Sequence, residues 1–83
     1  MKYDLEHILP EKVMDIRGLE SPLTGSKART ALSAIGPGKI LEVWCTDRDF
    51  VTEMERSKDL EGNPYIGSRQ DPEGYVRLYL IRK

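Results

Sequence analysis

Eighty-three residues carry 13 basic and 14 acidic side chains, for a net charge of −1. That length suits one small domain spanning 1–83, close to the size at which a single core becomes marginal. The balanced charge argues against a protein that lives on nucleic-acid phosphates, which shows a clear basic excess. One cysteine, Cys45, excludes an internal disulfide, and one histidine, His7, adds too little for a four-ligand zinc site. Neither a metal nor an organic cofactor is expected.

In chain order, residues 1–11 show no clean period and read as an irregular lead-in. "MKYDLEHILPEK" lacks the apolar stretch of a signal peptide, and no run approaches the ~20 apolar residues of a membrane span. A cytoplasmic location without membrane attachment is therefore expected. "KVMDI", 12–16, reads as a strand, broken by Gly18. Ser21 and Pro22 then predict a helix start. The serine hydroxyl would serve as N-cap and proline would occupy the first helical position, where its missing N–H is harmless. Thr24, Ala28, Ala31, Leu32 and Ile35 form one narrow stripe at helical spacing. Gly25 weakens that helix by about 1 kcal/mol relative to alanine, so close packing is the expected compensation. "GPG", 36–38, should stop it, with Gly36 as a left-handed C-cap.

"KILEVWC", 39–45, is rich in branched and aromatic residues and predicts a strand. Alternation places Leu41, Val43 and Cys45 on one face and Ile40, Glu42 and Trp44 on the other, which should be the less buried. A second helix is predicted from Thr46 or Asp47 to Gly62, with Phe50, Val51 and Met54 inward and Asp47 and Asp49 favoured by the helix dipole. "PYIGSRQ", 64–70, fits an irregular edge strand. "DPEG", 71–74, is a tight turn. The last strand, "YVRLYLIRK", sets Val76, Leu78 and Leu80 against Tyr75, Arg77, Tyr79 and Ile81. The order β-α-β-α-β-β predicts a two-layer α/β sandwich (α+β), with a four-stranded mixed sheet and both helices on one face.

The text "MDIRGLESPLTGSKARTAL", followed by "GPGKILEV" and "TDRD", resembles the TusA-like (SirA-like) sulfur-carrier family. Asp15, Gly18, Leu19, Pro22, Lys27, Ala31, Leu32, Gly38 and Asp47 fall at that family's spacing. The final "YLIRK" looks like its last strand. The resemblance covers about 12–83. It implies a cysteine that accepts sulfur as a persulfide at the head of the first helix, and sulfur-donor or sulfur-acceptor proteins as partners. Here that cysteine is Ser21, and the motif's second proline is Thr24. A helix N-terminus favours a thiolate and its persulfide anion. A serine hydroxyl is far from ionised at neutral pH and forms no stable counterpart, so Ser21 as written carries no sulfur.

Three readings of Ser21 stand at this point. It is a helix cap; or a nucleophile, which needs a base that His7, without an evident partner, does not supply; or a replacement for a native cysteine. Cys45, the possible secondary thiol, is read first as a small core hydrophobe and second as a redox or sulfur group. Arg17, Lys27 and Arg29 are either a solvated face or an electropositive rim around residue 21. Trp44, Arg77 and Tyr79 share the helix-free face and suit a protein contact or homodimer better than a nucleic acid. Two functional classes result: a sulfur carrier stalled at the acceptor position, or a non-catalytic binding or regulatory module on the same scaffold.

Overall fold

The computed structural model describes residues 3–83; Met1 and Lys2, the start of the expected lead-in, lie outside the described residues. The elements are β1 (Lys12–Asp15), α1 (Leu23–Ser33), β2 (Ile40–Cys45), α2 (Arg48–Ser57), β3 (Asp59–Leu60), β4 (Asn63–Gln70) and β5 (Val76–Ile81). The sheet runs β1-β2-β5-β4-β3. β1 and β2 are parallel, joined by the α1 crossover that parallel pairing requires, and the remaining neighbours are antiparallel. The α+β class is as expected. The sheet has five strands rather than four, because Asp59 and Leu60 turn back to pair with Pro64 and Asn63. β4 is consequently a true edge only beyond Pro64.

Register explains the core. Leu41 lies opposite Leu80 and Val43 opposite Leu78, so strict alternation sends all four to one face. There they meet Ala28, Ala31 and Leu32 of α1 and Phe50 and Met54 of α2 in one buried cluster. Leu32, Leu41, Leu78 and Leu80 are almost wholly enclosed, each contributing about 1.5–3 kcal/mol relative to an exposed side chain. Gly25 earns its place as anticipated. A Cβ there would stand 3.9 Å from Phe50 Cε1 and 3.3 Å from Arg29 Nη1, so the two helices approach closely at this point.

Helix boundaries depart from the sequence reading at both ends. α1 begins at Leu23, with Pro22 at the cap position and no side-chain capping bond. Ser21 is therefore not the N-cap. Its end is closed by Ala34 N–H bonding to the Ala31 and Leu32 carbonyls, and the left-handed glycine is Gly38 (φ +81°), not Gly36. α2 stops at Ser57, five residues before Gly62, because Lys58 itself adopts the left-handed conformation (φ 61°) and donates to the Met54 carbonyl. The turn at 71–74 is as read: Gly74 N–H bonds the Asp71 carbonyl at 2.9 Å, and Asp71 N–H bonds the Tyr75 carbonyl at 2.8 Å.

The face away from the helices is not the open one expected from Glu42. Glu42 is only 6% exposed and Tyr79 1%. Trp44 Nε1 donates to Glu42 Oε2 at 2.6 Å, and Arg77 Nη1 lies 3.3 Å from the same oxygen. Arg77 Nη2 also meets Asp71 Oδ1 at 2.8 Å. A carboxylate tolerates burial when paired and hydrogen-bonded in this way, and alternation alone could not reveal its partner 35 positions along the chain.

Candidate functional site

The carboxyl ends of the parallel strands β1 and β2 lie at the same end of the sheet, and each is followed by a helix. Both helix N-termini therefore meet there, the usual place for ligands in sheets of this kind. The loop after β1 is pinned at three points. Ile16, buried, donates its N–H to the Trp44 carbonyl at 3.0 Å. Gly18 N–H bonds Thr46 Oγ1 at 2.8 Å, and its φ of +87° belongs to the region that suits glycine. Leu19 packs against the core. Of the residues taken from the family's spacing, Gly18 and Leu19 thus form the anchored half of the loop.

Beyond Leu19 the chain comes to the surface. Glu20, Ser21, Pro22 and Leu23 are all exposed. Leu23 N–H bonds the Glu20 carbonyl at 2.9 Å and Ser26 N–H the Pro22 carbonyl at 3.2 Å, which starts the helix directly beneath residue 21. Among the described residues nothing hydrogen-bonds the Ser21 hydroxyl, and the mouth of α1 is unplugged. Its first turn holds no acidic side chain, so the partial positive charge of the helix end is offset only by the neighbouring Glu20 and the acids of α2.

The floor of this mouth is a side-chain bond that locks the helices together. Thr24, fully buried, donates from Oγ1 to Asp47 Oδ2 at 3.0 Å. The other Asp47 oxygen accepts the Asp49 N–H at 3.1 Å and caps α2. Asp47, one of the two cap candidates read from sequence, therefore holds both helix heads. Thr24 was read as a member of the inner stripe and as the residue at the motif's second proline; a hydroxyl in that stripe was the available sign that a buried partner must exist.

The expected basic rim is dispersed. Arg17 turns to the helix-free face, clamping Asp15 with Nε–Oδ1 at 2.9 Å and Nη2–Oδ2 at 2.8 Å. Its guanidinium stacks over Trp44 and Tyr75, 5.2 and 4.8 Å from the ring centroids. Arg29 reaches Glu61 Oε1 at 3.5 Å. Lys27 is exposed and has no ion pair among the described residues. Of the three, only Lys27 remains uncommitted on the helix that bears the site. His7 does have a partner, contrary to the sequence reading: its Nδ1 lies 2.6 Å from Asp4 Oδ2. Both belong to an exposed turn of the lead-in, and no hydrogen bond joins them to Ser21 among the described residues.

Cys45 is wholly buried, its sulfur 3.3 Å from the Asp47 N–H that donates to it. Burial pushes its thiol pKa up, against a smaller opposing effect of that backbone hydrogen bond. It borders a cleft of about 350 Å³ between α2 and the β4–β5 hairpin, together with Arg48, Thr52, Ser68 and Gln70. Among the described residues no cluster of three or more His, Cys, Asp or Glu could hold a metal ion, and no helix is long and apolar enough to cross a membrane.

The structure is a two-layer α+β sandwich in which the exposed residues 20–23 lead into α1 beside a locked pair of helix heads. The family model "Sulfurtransferase TusA" matches residues 12–83, and the chain belongs to the TusA family. A curated relative, named "Putative sulfur carrier protein YrkF", of Bacillus subtilis (strain 168), is 27% identical over 71 residues. That alignment takes in 86% of this chain but 37% of YrkF, so the chain spans well under half of that relative's length. The crystal structure of a SirA-like protein from Desulfitobacterium hafniense superposes with a TM-score of 0.69, covering 84% of this chain and 95% of that one. At 15% identity this last likeness speaks for the fold alone.

Proposed function

We propose that this chain is a sulfur-carrier domain whose acceptor position, residue 21, holds an oxygen in place of the reacting sulfur. The observation that carries the reading is the exposed Ser21 at the head of α1, without a hydrogen-bond partner among the described residues; the resemblance in the motif around it makes this the acceptor position. A thiol there would gain from the helix N-terminus, which stabilises the thiolate and persulfide anions. The serine has neither the acidity nor the sulfur. Among the described residues no base approaches it, so it is not an activated nucleophile either. Persulfide relay through residue 21 does not occur in this form.

What remains is the surface. Ser21, Pro22 and Leu23 are exposed beside Lys27, a small apolar step with one cation, suited to a sulfur-donor or sulfur-acceptor protein that brings its own reactive cysteine. The domain then works as a binding or regulatory module within a sulfur-handling system. A lone, buried thiol fits a reducing compartment, and we place the protein in the cytoplasm. Where the source gene carries a cysteine codon at 21, the same geometry makes the native residue the persulfide acceptor.

The test is Ser21→Cys, incubated with a low-molecular-weight persulfide donor and read by peptide mass spectrometry. One added sulfur on the peptide holding residue 21, removed by reductant, is the expected result, with none on Cys45 in the folded protein. A folded variant that stays unmodified would sink the reading of this mouth as a sulfur site.

A further inference from the structure

The family match starts at residue 12, yet the chain before it is folded against the domain. Between Tyr3 and Pro10 the half-buried residues are Tyr3, Leu5, Ile8 and Pro10, while Asp4, Glu6, His7 and Leu9 are exposed. The segment therefore lies flat, one side down. Asp4 organises it: Oδ1 accepts the Glu6 N–H at 3.1 Å, Oδ2 meets His7 Nδ1 at 2.6 Å, and the Asp4 carbonyl accepts the His7 N–H at 3.0 Å. Leu5 sits within that turn.

Leu5 lands on Gly67. A Cβ built on Gly67 would stand 2.9 Å from Leu5 Cδ1, a collision, and the glycine's φ of +142° is one that other residues rarely adopt. Gly67 follows a β-bulge in β4 and lies opposite Tyr79 of β5 in register. Its missing side chain leaves a notch on the helix-free face, and Leu5 fills it. Tyr79 beside that notch is 1% exposed although no helix covers this side of the sheet. Its hydroxyl accepts from Arg69 Nε at 3.2 Å.

Attachment of the segment is slight. Among the described residues, 3–10 form hydrogen bonds only within their own turn; the first bond to the sheet is Glu11 N–H to the Ile40 carbonyl at 2.8 Å. Beyond that bond the segment is held by a few half-buried apolar side chains. Leu9, next to the junction, is 92% exposed and holds nothing down. Segments with few buried contacts and no main-chain bonds to the body open well below the free energy of global unfolding.

We propose that residues 3–10 are a detachable strap, closed by Leu5 in the Gly67 notch, which opens without unfolding the domain and so controls access to Tyr79 on the helix-free face. The strap lies outside the matched family span, and its action is independent of what residue 21 can carry.

The test uses the full chain and Leu5→Asp, which puts a charge into the apolar notch while touching nothing in the buried cluster. Hydroxyl-radical labelling of Tyr79, mapped by peptide mass spectrometry, should rise about tenfold, the population shift expected when a half-buried leucine contact is lost. Amide exchange of Ile40–Cys45, in the centre of the sheet, should be unchanged. Unaltered Tyr79 labelling would overturn the proposal, because Leu5 would then not be the closing contact. So would exchange of Ile40–Cys45 rising in parallel, because the segment would then open only with the whole fold.

Discussion

Thr24→Val tests the lock beneath the helix mouth. Valine matches the shape of threonine in a fully buried position, so packing is preserved and only the donor to Asp47 Oδ2 is lost. Asp47 keeps its capping bond to the Asp49 N–H, but its second oxygen is left in a site only 8% exposed. A hydrogen bond to a charged group contributes about 1.5–3 kcal/mol, and stranding its acceptor adds to the loss. A destabilisation of about 2 kcal/mol is expected, and in a domain of this size it lowers Tm by roughly 8–16 °C. Urea titration followed by far-UV circular dichroism gives the free energy, with an unchanged slope showing that the unfolding transition keeps its cooperativity. A double-mutant cycle with Asp47→Ala isolates the pair, and a coupling of at least about 1 kcal/mol should appear. A change within about 0.5 kcal/mol, the ordinary range for uninvolved surface sites, or strict additivity in the cycle, would refute the claim that this bond joins the helix heads.

Three further outcomes are expected. Ser21→Ala should alter stability by less than about 0.5 kcal/mol, where loss of a true serine cap costs about 1; a larger loss in chemical denaturation would restore the capping role. Arg82 Nη1 reaches the carbonyls of Leu32, Ser33 and Ile35 at 3.1, 3.2 and 2.7 Å, a cation on the negative end of α1. Arg82→Ala should therefore cost about 1–2 kcal/mol and loosen that last turn in amide exchange. Asp71 is held below the usual carboxylate range first by the Glu73 N–H and then by Arg77. Its folded pKa lies below the unfolded value, so its stabilisation is complete above about pH 4 and is lost as pH falls through the folded value. Asp71→Asn should flatten the acid limb of the stability profile, and an unchanged limb would contradict the pairing.

Much of the site could be read along the chain because its determinants are local. The positive φ of Gly18 and the Asp47 cap are each settled within a few neighbouring residues, although the bond from Gly18 to Thr46 is not. The motif from Asp15 to Leu32 occupies one loop and one helix. Arg17 shows the opposite case. Along the chain it read as part of a solvated face or of a rim around residue 21, and the structure makes it a clamp on Asp15 at the helix-free face. The choice rested on Trp44 and Tyr75, which no spacing rule connects to it. Ser21 beside Pro22 has the composition of a cap, yet the helix starts after the proline, and a shift of one residue removes the role.

The alternation of β2 and β5, the stripe of α1 and the turn at 71–74 settled the layers and the inward faces, because side-chain period and turn chemistry are properties of short segments. Their order also specified a mixed sheet with both helices on one face, and the structure made β1 and β2 its parallel pair. Tertiary structure alone decided which charges are buried, which are free and what covers the helix-free face. Glu42 is enclosed because Arg77 reaches it, Arg82 caps a helix it follows by some fifty positions, and Leu5 fills the notch left by Gly67. Such pairings depend on distance in space, and the chain acquires that only when the sheet closes.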